Sequence, residues 1–192
     1  MAGFEALLVS TVTVALAEIG DKTQLLALVL AAKYRKPVPI VLGILAATLV
    51  NHAASAWVGA WLSTVVSPNV LRWAIALSFF AVAAWALVPD KLDEDKDAAA
   101  QRNAWGVFVA TCIAFFLVEI GDKTQVATIV LAARYHPLWQ VVSGTTLGML
   151  LANGPVVLFG ARFAHRLPLK AARWTAAALF AALGVWVAIA GA

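Results

Sequence analysis

Hydrophobic positions fall into six long apolar runs, at about 4–32, 38–62, 70–88, 105–133, 138–161 and 172–191, separated by short polar stretches. A helix rises about 1.5 Å per residue, so each run is long enough to cross the roughly 30 Å hydrocarbon core of a bilayer. The pattern predicts an all-α integral membrane protein with six transmembrane helices in a single membrane domain spanning residues 1–192. One polar stretch is longer. Residues 89–103 hold Asp90, Asp93, Glu94, Asp95 and Asp97 against Lys91 and Lys96, and read either as a solvated loop or as an acidic patch that gathers cations or regulates. Trp57, Trp61, Trp73, Trp105 and Trp139 stand near predicted span ends, where indole rings anchor a helix at the interface.

Composition removes whole classes of function. Of 192 residues, 63% are hydrophobic and only 12% charged, and mean hydropathy is +0.89, whereas a soluble domain carries about 25% charged residues. The net charge of +4 is no sign of nucleic-acid binding. Of the twelve Lys and Arg outside the repeated motif described below, ten fall in the loops after the first, third and fifth runs or at their edges. Only Arg72 and Arg134 fall on the other side. That bias puts both termini outside and the acidic linker in the cytoplasm. Cys112 is a lone cysteine within a span and reads as a small buried hydrophobe. The first run is expected to be retained rather than cleaved as a signal peptide, because its start carries Glu5 and no basic residue.

A constant offset of 101 residues aligns the two halves without gaps. Glu18 to Gln24 and Glu119 to Gln125 both read Glu-Ile-Gly-Asp-Lys-Thr-Gln; Gly43 meets Gly144, Gly59 meets Gly160, and Trp85 meets Trp186. Repeat one is 1–88, the linker 89–103, repeat two 104–192. With three spans each, the second repeat must enter the membrane upside down relative to the first. Inverted repeats are a transporter architecture whose site lies near the midplane, between the repeats.

The motif places charge where charge is costly. Glu18, Asp21 and Lys22, and again Glu119, Asp122 and Lys123, interrupt apolar runs at mid-depth, and such residues mark an ion pathway or relay. On a helix, the three-residue spacing of each Glu and Asp puts both carboxylates on one face, and Gly20 or Gly121 between them can loosen the backbone. Thr23, Gln24, Thr124 and Gln125 add neutral oxygens, completing a hard-donor set suited to Ca²⁺, Mg²⁺ or Mn²⁺. Four carboxylates and two lysines sum to −2, a pocket that one divalent cation or two protons would neutralise. The plainer reading is that Glu18–Lys22 and Glu119–Lys123 are local ion pairs that lower insertion cost.

On the companion spans, Asn51 and His52 lie at mid-depth, with His52 aligned to Asn153. A buried histidine is commonly a packing residue; beside carboxylates in a membrane it can also ligate a metal or relay protons. Pro155 is expected to break or kink its helix and free carbonyls toward a cavity.

The doubled Glu-hydrophobic-Gly-Asp-Lys-Thr signature resembles the family of Golgi calcium/manganese:proton antiporters and bacterial manganese exporters, within the lysine-exporter superfamily. The likeness spans essentially the whole chain. It implies exchange of Mn²⁺ or Ca²⁺ for H⁺, as transported substrates and not cofactors, with Glu18, Asp21, Glu119 and Asp122 as cation ligands. Thr23, Gln24, Thr124 and Gln125 would support them. Lacking a long N-terminal extension, the chain looks like the compact bacterial form, a multi-pass protein of the inner membrane. Two other readings stand beside it: a passive divalent-cation channel, and an intramembrane aspartyl hydrolase, which would not need a glutamate and a lysine with each aspartate. There is no glycine-rich phosphate loop to support ATP-driven pumping.

Overall fold

The computed structural model describes residues 4–88, 103–160 and 169–190, and these residues are wholly helical apart from turns. The acidic stretch 89–102 and the basic residues 162 and 166 lie outside them. In chain order the helices are α1 Glu5–Glu18, α2 Lys22–Tyr34, α3 Pro37–Val65, α4 Pro68–Ala86, α5 Ala104–Glu119, α6 Lys123–Arg134, α7 Leu138–Phe159 and α8 Leu169–Ala190. Their starts are legible in local chemistry. Pro37 and Pro68 open α3 and α4, where a missing N–H costs nothing. The Asn103 side chain caps α5 by accepting from Gly106 N–H at 2.8 Å.

Among the described residues three helices are long and apolar enough to cross a membrane alone: Pro37–Val65, the Pro68–Trp85 part of α4, and Leu138–Phe159. A fourth span arises when α5 and α6, bent by 73° at their junction, are taken as one broken span. Two expectations change here. The runs at 4–32 and 105–133 are not continuous helices; each is cut at its motif. Pro155 does not end its helix, since α7 runs through it to Phe159. A proline in a helix interior forfeits one backbone hydrogen bond, and spanning helices tolerate that loss where neighbours re-satisfy the carbonyl.

The halves are interleaved rather than side by side. The first helix of each packs on the long helix of the other, α1 on α7 and α5 on α3. Matched glycines make both contacts close. A Cβ on Gly43 would stand 2.6 Å from Thr111 Cβ and 2.9 Å from the Phe108 carbonyl of α5. One on Gly144 would stand 2.5 Å from the Leu7 carbonyl of α1. Small residues allow this approach, which replaces hydrophobic drive in lipid.

Among the described residues two large apolar cores result, beside a small cluster at Ala176 and Ala177, and they use different helices. One joins α1, α3, α4, α6, α7 and α8 through residues such as Leu71, Phe79, Leu131 and Phe180. The other joins α1, α2, α3, α5 and α7 through Val14, Ile40, Ile44, Phe115 and Met149, without α4 or α8. Matched positions at the two ends are accordingly packed differently. A Cβ on Gly59 would fall 2.1 Å from the Ile129 carbonyl of α6, whereas one on Gly160 would meet nothing within 4 Å among the described residues. Beside Gly160 a cleft of about 550 Å³ separates Leu28 and Ala31 of α2 from Val157 and Phe159 of α7. Trp57, Trp61, Trp73, Trp105 and Trp139 all face outward, each at least half exposed.

These contacts predict opposite effects for two glycine substitutions. Gly43→Ala should destabilise the detergent-solubilised protein by about 1–3 kcal/mol through overpacking. Gly154→Ala, with open space around the new methyl, should be neutral or stabilising by about 0.5–1 kcal/mol. Thermal unfolding of both variants checks this.

Candidate functional site

Each motif is a helix break. Glu18 ends α1 and Asp21 caps α2; Glu119 ends α5 and Asp122 caps α6. The break needs glycine, because Gly20 and Gly121 hold φ of 81° and 75°, a region open to glycine at little cost. The glutamine four residues on staples each turn. Gly20 N–H donates to Gln24 Oε1 at 2.9 Å, and Gly121 N–H to Gln125 Oε1 at 2.7 Å. The carboxylates of each motif therefore do not share a helix face. They flank a turn, with the α2 and α6 N-termini, the positive ends of those helix dipoles, at the aspartates.

The four acidic residues are fully or almost fully buried. Glu18, Asp21 and Asp122 each offer an oxygen within 4.8 Å of the others. Glu119 stands outside this trio. The threonines serve the glutamates: Thr23 Oγ1 donates to Glu18 Oε2, and Thr124 Oγ1 to Glu119 Oε2 at 3.0 Å. Glu18 Oε1 and Glu119 Oε1 are buried and accept no hydrogen bond from the described residues. A buried carboxylate oxygen without a donor is costly, so it is available to a cation or a proton.

The lysines do not make the local pairs expected of them. Lys22 Nζ lies 2.9 Å from Asp122 Oδ1, and Lys123 pairs with Asp21 Oδ1. Each motif lends its ammonium to the other motif's aspartate, so the two breaks are tied together across the repeats. The exchange is unequal in exposure, 23% for the Lys22 side chain and 4% for Lys123.

The companion residues sit unevenly around this junction. Asn153 Nδ2 lies 3.5 Å from Glu18 Oε2 and 3.1 Å from the Met149 carbonyl that also accepts from it. Gln24 Nε2 donates to the Ala152 carbonyl of α7 at 3.1 Å. On the other side, Asn51 Nδ2 donates to the Phe116 carbonyl of α5 at 3.2 Å. His52 is fully buried, and neither ring nitrogen has a hydrogen-bond partner among the described residues. Sequence reasoning missed the α7 carbonyl contact of Gln24 and the crossed lysines. Neither has a signal in local spacing, since the first joins residues 128 apart and the second, for Lys123 and Asp21, residues 102 apart.

The profile of the divalent cation/proton antiporter family GDT1 matches residues 6–94 and 107–192. A Vibrio cholerae protein named "Putative manganese exporter" is 53% identical over 175 residues, covering 91% of this chain and 86% of that protein. GDT1-like protein sll0615 of Synechocystis is 29% identical over 197 residues, covering 92% and 95%. GDT1-like protein 3 of Arabidopsis thaliana is 24% identical over 206 residues, covering 95% and 70%. No solved structure matches. The chain belongs to the GDT1 family of divalent cation/proton antiporters.

Proposed function

We propose that this chain exports Mn²⁺ from the cytoplasm in exchange for protons, with Ca²⁺ as the next candidate cargo. Family membership makes it a cation transporter and not an enzyme, which removes the intramembrane hydrolase, and makes metal ions its substrates rather than its cofactors. The observation that carries the finer reading is the buried trio of Glu18, Asp21 and Asp122, drawn from both repeats and within 4.8 Å. Hard carboxylate oxygens suit Mn²⁺ and Ca²⁺ alike; the preference for Mn²⁺ follows the name of the Vibrio cholerae relative. Glu119, whose Oε1 accepts no hydrogen bond from the described residues, is assigned as the fourth acidic group of the exchange cycle. Thr23 and Thr124 orient the glutamates, Gln24 and Gln125 hold the breaks, and Asn51, His52 and Asn153 form the wall contributed by the long helices.

The arrangement in the bilayer is six spans in two inverted repeats, α1–α2, α3, α4 and α5–α6, α7, α8, with both termini outside and residues 89–103 in the cytoplasm. The two-core packing favours a carrier over a channel. Among the described residues α6 packs closely on Gly59, while the matched Gly160 is loosely packed beside a cleft. A channel conducts through both ends at once; alternating closure of the two ends around one site gives exchange.

Two measurements test this. In proteoliposomes with an imposed pH gradient, Glu18→Gln and Glu119→Gln should each lower Mn²⁺ flux to below about a hundredth of wild type, as expected for buried charge at a transport site. Wild-type Mn²⁺ flux should drive a reciprocal proton flux seen by a pH-sensitive dye. Normal transport by either variant would overturn the shared site, and metal flux without proton movement would favour the channel.

For alternating closure, single cysteines at Ala31 and Ala132 in a Cys112→Ala background report the two ends. A water-soluble thiol reagent should modify position 31 at least about tenfold faster than position 132 without substrate, following their packing. A pH gradient that drives turnover should narrow the difference; equal rates under both conditions would contradict it.

A further inference from the structure

The crossed ion pairs suggest more than a scaffold. Lys22 and Lys123 do not simply lie near the acidic junction; they occupy it. Their ammonium groups sit on Asp122 and Asp21, two of the three carboxylates that converge within 4.8 Å. A lysine ammonium is a compact point charge on a flexible four-carbon stem and has no acceptor with which to bind a cation. A hard divalent cation seats at about 2.0–2.6 Å from carboxylate oxygen. With Lys22 Nζ 2.9 Å from Asp122 Oδ1, an ion on that oxygen would lie at most about 5.5 Å from the ammonium. Two unscreened positive centres at that separation in a buried site repel strongly. Metal and ammonium therefore compete for the same aspartates.

We propose that Lys22 and Lys123 are tethered counter-cations that hold the aspartates when no metal is bound, yield them when metal arrives, and reclaim them to expel it. This rests on the exchange reading above and adds the residues that govern release. Lys22 is the one built to move. Its side chain is 23% exposed against 4% for Lys123, and its helix borders the slack end, where the cleft beside Leu28 and Ala31 lies open. Lys123, at the head of the tightly packed α6, is the fixed partner. A tethered ammonium has a high effective concentration at its site, so it can speed metal departure without any new ligand.

The test uses the purified full-length protein and Mn²⁺ at constant pH. Calorimetric binding and proteoliposome flux are measured for wild type, Lys22→Met and Lys22→Arg. Lys22→Met should bind Mn²⁺ at least tenfold more tightly and show lower KM together with at least tenfold lower turnover, the mark of slow release. Lys22→Arg, which keeps the charge, should stay within about threefold of wild type in affinity. A purely structural lysine would lose turnover without tighter binding, and unchanged or weaker binding by a folded Lys22→Met would overturn the proposal. Should Lys22→Met not fold, Lys22→Cys in the Cys112→Ala background replaces it. Aminoethyl thiosulfonate, which restores an ammonium, should raise KM again, and the neutral methyl reagent should not; equal effects of the two reagents would also overturn it. Absence of Mn²⁺ binding by wild type would instead sink the exchange reading itself.

Discussion

Six charged side chains gather in the interior, where no other charged residue is buried among the described residues, and their mutual neutralisation is what the architecture must secure. Lysine and carboxylate groups buried alone would carry a desolvation cost of several kcal/mol each. Pairing offsets it only when geometry is tight. The crossed contacts between Lys22 and Asp122 and between Lys123 and Asp21 supply that geometry, and they do so only if both helix breaks face each other. The interleaving of α1 with α7 and α5 with α3 follows from the same requirement.

The breaks themselves reconcile two opposed needs. Backbone at membrane depth must be hydrogen-bonded within the protein, yet the carboxylates of each motif flank a break between two helices. Gly20 and Gly121 provide the turn, and the side-chain oxygens of Gln24 and Gln125 accept the N–H groups the turn would otherwise strand. The motif is thus a turn with its own internal cap, written twice. Its neutral residues do most of the structural duty, which leaves Glu18 Oε1 and Glu119 Oε1 without donors among the described residues.

Much of this was readable from residue order. The runs at 38–62, 70–88 and 138–161 became α3, α4 and α7, because an uninterrupted apolar stretch of spanning length has few alternatives to a helix. The runs holding the motifs were read as whole helices and are instead broken, since hydropathy averages over a single glycine whose φ is positive. The plainer reading of the lysines pairs each with a glutamate four residues away, whereas Lys123 finds a partner 102 residues distant. Nothing in local spacing encodes that choice. It emerges only once two breaks are brought face to face. Pro155 is a strong local signal for a break, yet α7 continues through it to Phe159.

The separation between Asp21 and Lys123 also has a bearing on biogenesis. Chains grow at about 5–20 residues per second, so the earlier acid waits roughly 5–20 s before its basic mate has been synthesised. During that interval α1 also lacks α7, the surface on which it settles. The nascent amino-terminal half must then reside in the translocon or among lipids with its acids solvated or otherwise screened. Docking of the late helices, rather than insertion of the early ones, becomes the step at which the protein acquires its final form.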